Sequence, residues 1–520
     1  MVNEHKTIFG KYVLDSLTRS MYENPKTIYR ELIQNSADAI DNAVVQGFLK
    51  DKTAGVISIS IEKNERKIII EDNGTGIKAN DVLPKLMNIG DSDKDKESDK
   101  GFRGIGRLGA LGYCERLIIE TSYPGETIKN VVGWAAKELM TSLDEKNKEG
   151  AAELFQRVAT RTIENEAVDT HYYRVILENV SDDSLLEKQE IKEYLSMVAP
   201  VPFDRAFILR NAIYEYVKKH NFPFDEYTIY LNTEQICKAY TSIIYEGNEL
   251  TKKRIDEISH LEFFNFNATG EEPLLWGWYG ISSFTKQIPE KGNLSRGLRL
   301  RKSNIQIGDS YCLVKLHKEQ RGNFYFVGEI HALHPALYPN ARRDYFFENH
   351  VTKLFEKKLR HYFHNELYNL YYFSSKVRST QRQIEDFVKF SETYEEKSQK
   401  IGFKDKEEAQ HYERQFETLK DRAEAAKKTL TRIADELTQE PSPKKKIFEK
   451  VTKGKPIEVT HITPPVKPKE NKIKYVFDDL SSVSRDDRKL IARVFAVVDR
   501  CLPDKALVEN IRLKIIEEFK

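Results

Sequence analysis

The stretch GFRGIGRLGALG, residues 101–112, constrains the fold most. Gly104, Gly106 and Gly109 form a G-x-G-x-x-G, a spacing that suits a backbone passing close to a phosphate. A dinucleotide-binding turn has that spacing, but it needs a buried strand directly before its first glycine and a βαβ unit closed by an acidic residue. Here the preceding residues are GDSDKDKESDK, a charged loop, and the closing acidic residue is not evident. No G-x-x-x-x-G-K-[ST] occurs either, so the glycines need partners from elsewhere in the chain.

Two upstream stretches offer them. ELIQNSADAID places Glu31, Asn35 and Asp38 at i, i+4 and i+7, on one face of a helix. Such a row is costly against a core unless it meets polar partners. One reading is an ordinary polar helix face. The other is a site in which one amide oxygen and phosphates hold magnesium, which keeps its remaining waters. A carboxylate one turn earlier then takes a proton from an attacking water. In IIIEDNGTGI an apolar strand ends at Asp72, and Gly74 and Gly76 allow close backbone approach. This is either a common turn or a carboxylate placed to accept from the exocyclic amine of adenine.

In this order and spacing the three stretches resemble the GHKL ATPase superfamily, which includes gyrase, the ninety-kilodalton heat-shock chaperone, histidine kinases and MutL-type repair proteins. ELIQNSADAID resembles its N box, EDNGTGI its D-x-G-x-G box and GFRGIGRLGALG its second glycine box, over about the first 200 residues. The resemblance implies ATP and Mg2+ as ligands. It implies Glu31 as general base, Asn35 as the magnesium ligand, Asp38 near the nucleotide, and Asp72 as the adenine reader beside Gly74 and Gly76. The backbone of Gly101, Phe102, Arg103, Gly104, Ile105 and Gly106 is expected to cradle the phosphates at a helix N-terminus. MNIGDSDKDKESDK falls where the family keeps its ATP lid, and Lys94 there either reaches a phosphate or stays solvated. The family's late-strand threonine is matched to Thr170, where Asp169 replaces the usual preceding glycine.

LYPNARRDYFFEN carries Asn340, Arg342, Arg343 and Asp344. It is similar to the catalytic loop in the chaperone's middle domain, an Asn-x-x-Arg-acidic pattern, and GLRLRKSNIQIGD resembles the strand pair before that loop. The match implies Arg343 at the γ-phosphate, where a guanidinium stabilises developing charge. Arg342 is the competing candidate, and a surface salt bridge is the plain alternative. MutL-like and gyrase-like relatives use lysine at this point, so arginine favours the chaperone-like branch. A histidine kinase is disfavoured, because only His5 precedes the N box.

The expected fold class is α+β. A Bergerat-fold α/β sandwich is expected over residues 1–200, with a middle α/β transducer-like domain over 201–350. Strands are expected in GVISISIEK, RKIIIEDNG, RLIIETS, HYYRVILENV, EYTIYLN, LLWGWYGIS, LRLRKSNIQIG and FYFVGEIHAL. Residues 351–440 read as a helical arm. Apolar residues from Ala409 to Leu437 step alternately by three and four, a coiled-coil seam, with Ile384, Phe387 and Tyr394 on an opposing helix across a turn at Gly402. Residues 441–474 read as a basic Pro/Lys-rich linker and 475–520 as a small helical tail.

Four scattered cysteines argue against a disulfide framework or a structural zinc and suit a reducing, cytoplasmic setting. The N-terminus lacks a secretory pattern, and no long apolar run offers a membrane span. A net charge of +2 supplies no global field toward nucleic acid, so DNA binding would rest on Lys444–Lys446, Lys450, Lys453 and Lys455, a run that also suits a solvated linker. The leading expectation is a slow, chaperone-like ATPase clamp, homodimeric through ATP-driven pairing and acting on an unidentified protein client. The alternative is a MORC- or MutL-like ATPase associated with nucleic acid, in phage defence or restriction.

Overall fold

Period-two alternation builds the first sheet. Val56–Glu62 (β1) and Lys67–Asp72 (β2) bury every second residue, which puts Ile57, Ile59, Ile61, Ile68 and Ile70 on the core side. The two strands pair antiparallel, with Ile59 opposite Ile70. Arg116–Ser122 (β3), Ile128–Trp134 (β4), Ala159–Asn165 (β5), Tyr172–Glu178 (β6), Thr228–Leu231 (β7) and Glu234–Gln235 (β8) complete eight strands in the order β5-β4-β3-β6-β2-β1-β7-β8. The accompanying helices are Tyr12–Thr18 (α1), Thr27–Val45 (α2), Val82–Met87 (α3), Leu108–Leu111 (α4), Ala136–Asp144 (α5), Ala151–Arg157 (α6) and Lys188–Val198 (α7). Ile28, Leu32, Ala37 and Ile40 of α2 share one core with the inward strand residues.

This computed structural model describes residues 10–19, 24–90, 106, 108–145, 149–248, 250–437, 442–453, 475, 480 and 483–519. The chain divides into two compact units, Met1–Asn369 and Leu370–Lys520.

A second sheet lies in the first unit. After Arg210–His220 (α8) come a ribbon of Ile243–Glu246 (β9) and Lys253–Glu257 (β10), then His260–Asn267 (β11), Pro273–Ile281 (β12), Gly297–Lys302 (β13), Ile305–Ile307 (β14) and Val327–Ala332 (β15). The last five form a sheet in the order β11-β12-β15-β13-β14. Phe203, Phe207, Trp276 and Trp278 fill the core beside it. His350–Tyr362 (α9) packs on this sheet, with the Tyr362 ring stacked 4.4 Å from Phe264.

The expected boundary at 200 is corrected by β7 and β8, which come from beyond it yet extend the first sheet, β7 running parallel to β1. A parallel pair needs a long crossover, so no local pattern announces it. The boundary at 351 moves as well, because the apolar stripe of α9 belongs to the second sheet.

Under the second sheet three fully buried charges meet. Lys238, Arg301 and Glu329 are each 0% exposed. Glu329 accepts from Lys238 Nζ at 3.0 Å, Tyr240 Oη at 2.9 Å and His331 Nε2 at 3.1 Å, and also from Arg301 Nε. Arg301 Nη2 donates to the carbonyl of Met197 in α7 at 2.8 Å, which ties the two sheets together. Cations and a buried donor around Glu329 hold its carboxyl well below the usual carboxylate range despite its burial.

Burial lowers two ring pKa values to about 4, those of His331 and His317. Each is neutral in the fold but takes a proton below about 6.5 once unfolded, so stability is complete above that pH and falls as acid is added. Between pH 6.5 and 5 the expected loss is on the order of 2 kcal/mol per ring. Thermal melts across that window should show it, with a shallower slope in His317→Leu; a flat midpoint from pH 7 to 5 would contradict the assignment.

The second unit is helical. Tyr368–Glu396 (α10) and Lys406–Glu436 (α11) pack antiparallel, with Phe387 on Phe416 and Phe390 on Tyr412 at ring distances of 5.3 and 5.7 Å. Gly402, at φ +84°, ends the first of the pair. The expected linker begins instead as a helix, Pro443–Thr452 (α12). Ser442 Oγ accepts from Lys445 N, proline fits the first turn, and Ile447, Phe448 and Val451 are buried. Arg485–Cys501 (α13) and Lys505–Glu518 (α14) follow. Among the described residues no helix is long and apolar enough to cross a membrane.

Candidate active site

Helix α2 carries the N-box residues, and its packing sets their direction. Ile28 and Leu32 face the core, and Tyr29 Oη donates to the Leu185 carbonyl at 2.7 Å. The polar row falls elsewhere on the helix: Glu31 and Asp38 are 5% and 4% exposed and Asn35 is half-buried. At the far end of the helix Asp41 accepts from Tyr227 Oη at 2.7 Å and pairs with Lys52 at 2.9 Å. Burial, and then the charges of Asp225 and Asp41, raise the Tyr227 phenol above its ordinary value.

The second box docks on this helix. Asp72 ends β2 at 1% exposure, and its Oδ1 accepts from Gly74 N at 3.0 Å. Thr75 N then donates to the carbonyl of Ala39 in α2 at 3.3 Å. Gly76 stands at φ +64°, and a β-carbon there would lie 1.9 Å from the Ser122 carbonyl oxygen, so only glycine fits. The third box meets the same helix: a β-carbon at Gly106 would sit 3.0 Å from Glu31 Oε2. The second box and Gly106 of the third thus meet α2, which carries the first.

The loop around Arg343 reaches this point from the second sheet. Arg343 N donates to Asn340 O at 3.2 Å, Asn340 N to Tyr345 O at 2.9 Å, and Asn340 Nδ2 to Asp344 Oδ1 at 2.6 Å. Gly308, just past β14, fixes the loop by donating to Arg343 O at 2.9 Å. Arg343 is held at φ +55°, uncommon for a side chain this large. Its Nε lies 2.8 Å from Glu31 Oε1, and the residue is only 6% exposed. Arg342 is exposed, so geometry separates two arginines that spacing alone left open.

Thr170 is placed differently. It precedes β6, its carbonyl accepts from Ser122 Oγ at 3.0 Å, and the register sets Tyr173 opposite Asp72. The neighbouring His171 Nδ1 lies 2.7 Å from the Gly74 carbonyl, a contact the sequence did not suggest. Lys94, Gly101, Phe102, Arg103, Gly104 and Ile105 lie outside the described residues. Sequence reading also missed Arg30, whose Nη2 stands 3.5 Å from Glu31 Oε1 inside the core edge. Its only signal is adjacency to Glu31. Among the described residues no group of three or more His, Cys, Asp or Glu could cage a metal ion. A magnesium ion bound through one amide oxygen and substrate phosphates requires no such cage, and the half-buried Asn35 of α2 fits that use.

The fold and the converging boxes define a GHKL-type nucleotide-binding domain. Residues 22–169 match the family described as histidine kinase-, DNA gyrase B- and HSP90-like ATPase, so this segment is a GHKL-type domain, similar to those of the HSP90-like branch. Among particular relatives, the chain is similar to the chaperone protein HtpG of Buchnera aphidicola subsp. Cinara cedri, 26% identical over 288 residues, covering 51% of this chain and 40% of the relative. HtpG of Citrobacter koseri is 27% identical over 270 residues, covering 45% and 43%. HtpG of Buchnera aphidicola subsp. Baizongia pistaciae reaches 30% over 143 residues, covering 24% and 23%. The chain spans less than half the length of these curated relatives.

Proposed function

We propose that the protein binds ATP and hydrolyses it slowly, as a chaperone-like clamp whose two copies pair when ATP is bound. The observation that carries this reading is the Glu31–Arg343 contact at 2.8 Å, which joins the N-box carboxylate on one sheet layer to the arginine loop of the other. With substrate present, Asp72 accepts from the adenine amine, and Glu31 takes the proton from the attacking water. Arg343 exchanges Glu31 for the γ-phosphate, where its guanidinium offsets developing charge. A magnesium ion held by Asn35 would neutralise phosphate charge. Turnover is slow on this account because Arg343 and Glu31 neutralise each other before substrate arrives. The HSP90-like family match and the relatives named as chaperones support the chaperone-like part. The helical second unit is available for pairing or for contact with a client, in a soluble cytoplasmic setting.

Calorimetric titration with ATP and with a non-hydrolysable analogue tests the binding. Mass measurement of the full chain with and without that analogue tests the pairing. The expected results are saturable uptake and a doubling of mass with the analogue. No uptake would end the ATPase reading, and an unchanged mass would end the clamp.

A further inference from the structure

Beside the Glu31–Arg343 contact a cleft of about 680 Å³ opens between the start of α2, helix α7 and the β13–β14 edge of the second sheet. Its wall includes Arg30, Arg299, Gln306, Arg342 and Arg343. Two of these guanidiniums are buried with less anionic contact than such groups normally require: Arg299 has no ion pair among the described residues, and Arg30 only a long one to Glu31, which it shares with Arg343. Arg299 is 9% exposed, and among the described residues it donates only from Nη2 to the Leu294 carbonyl, at 2.6 Å. Its register neighbour across the sheet is Glu329, whose carboxylate is taken by Lys238, Arg301, Tyr240 and His331. No ion pair reaches Arg299 among the described residues, and no hydrogen-bond acceptor reaches its Nε. Arg30 repeats the pattern at 6% exposure: beyond the long contact to Glu31, its Nε meets no acceptor among the described residues.

The acids at the rim are committed to other groups. Glu190 pairs with Lys26 at 2.6 Å, Glu193 Oε1 accepts from Gln189 Nε2 at 2.8 Å, Asp309 Oδ1 accepts from Tyr311 N at 2.7 Å, and Asp344 accepts from Asn340. Burial, with the nearby charges of Arg301 and Arg296, holds the Arg299 guanidinium below its ordinary value despite the pull of Asp309.

We propose that this cleft binds a small tetrahedral oxyanion of the phosphate class between Arg30 and Arg299, at a seat separate from that of the nucleotide. Guanidinium forks suit such a ligand, because paired N–H donors match phosphate oxygens. The ligand supplies the direct anionic contact that no carboxylate among the described residues makes to Arg299. The site does not depend on ATP hydrolysis, so it can be tested whether or not the proposed activity holds.

The test is calorimetric titration of the nucleotide-free full chain with inorganic phosphate, against chloride at matched ionic strength. Saturable uptake of phosphate alone is expected, with a raised melting temperature in phosphate. Arg299→Gln should weaken phosphate binding about ten-fold or more, the loss of one charge-assisted donor pair. Arg299→Lys keeps the charge but not the fork, should fall between the two, and serves as the deciding variant if Arg299→Gln does not fold. A third arm repeats the titration with the non-hydrolysable ATP analogue bound, where phosphate uptake should persist. The proposal is overturned by absence of saturable uptake, by parental affinity in folded Arg299 variants, or by loss of uptake with the analogue, which would assign the anion to the γ-phosphate position.

Discussion

Glu31→Ala is expected to bind ATP with affinity close to that of the parent while hydrolysing it on the order of 10²–10⁴ times more slowly. The expectation follows from where the carboxylate stands. Its Oε1 takes the contact from Arg343 at 2.8 Å, and its Oε2 edge faces Gly106, where the glycine box would present phosphates. On the proposed mechanism, removing it deletes the proton acceptor without touching Asp72, to which contact with the base is assigned. Phosphate-release kinetics and calorimetry on the same preparation separate the two effects. Equal turnover in variant and parent would strip Glu31 of its role. Arg343→Ala isolates the other half of the pair: hydrolysis should fall on the order of 10²-fold, as when one transition-state donor is lost, with little change in affinity. A purely structural ion pair behaves differently. Breaking it from either side would lower stability, and the double variant would recover part of that loss. A catalytic pair gives two slow single variants and an equally slow double variant, even where stability is recovered.

The parts of this site that the sequence disclosed are those whose chemistry is local. Glu31, Asn35 and Asp38 share a helix face by spacing alone, and Gly76 is a glycine because a carbonyl stands where its β-carbon would be. The heptad from Ala409 is legible for the same reason, since a helix repeats its own pattern; Ala409, Phe416, Ala423 and Leu430 are indeed buried. Long-range pairings were not legible. The hairpin of β4 and β5 was missed because most of β5 is exposed at the sheet edge and shows no clear apolar alternation. Attachment of β7 to β1 depends on residues more than 160 positions apart. Spacing alone leaves Arg343 and Arg342 open, and the left-handed backbone that sets Arg343 apart from its neighbour leaves no mark in composition. Arg30 and Arg299 read as ordinary charges until burial showed how few acceptors surround them.

Glu329→Ala should be among the most destabilising substitutions in the first unit, costing about 3–5 kcal/mol. Lys238 and Arg301 are fully buried with it, and removing the carboxylate leaves two cations facing each other in an apolar layer, already lined by Phe203 and Phe224 against the Lys238 ammonium at 4.4 and 5.0 Å. Tyr240 and His331 lose their acceptor as well. For a unit of this size such a loss lowers the melting temperature by roughly 5 °C. Glu329→Gln keeps the volume and one acceptor oxygen but not the charge, and should fall short of the parent by a smaller margin. Because Arg301 also holds the Met197 carbonyl of α7, the damage should spread to the first sheet: the parent is expected to melt this unit in a single transition and Glu329→Ala to split it. Lys238→Met together with Glu329→Leu, which removes one cation with the anion, should recover much of the loss, since apolar replacement of a buried pair is often close to neutral. Differential scanning calorimetry of the four proteins decides the matter. A shift below about 2 °C in Glu329→Ala would mean that water or a rearranged side chain satisfies the two cations, and that the network contributes little to holding the sheets together.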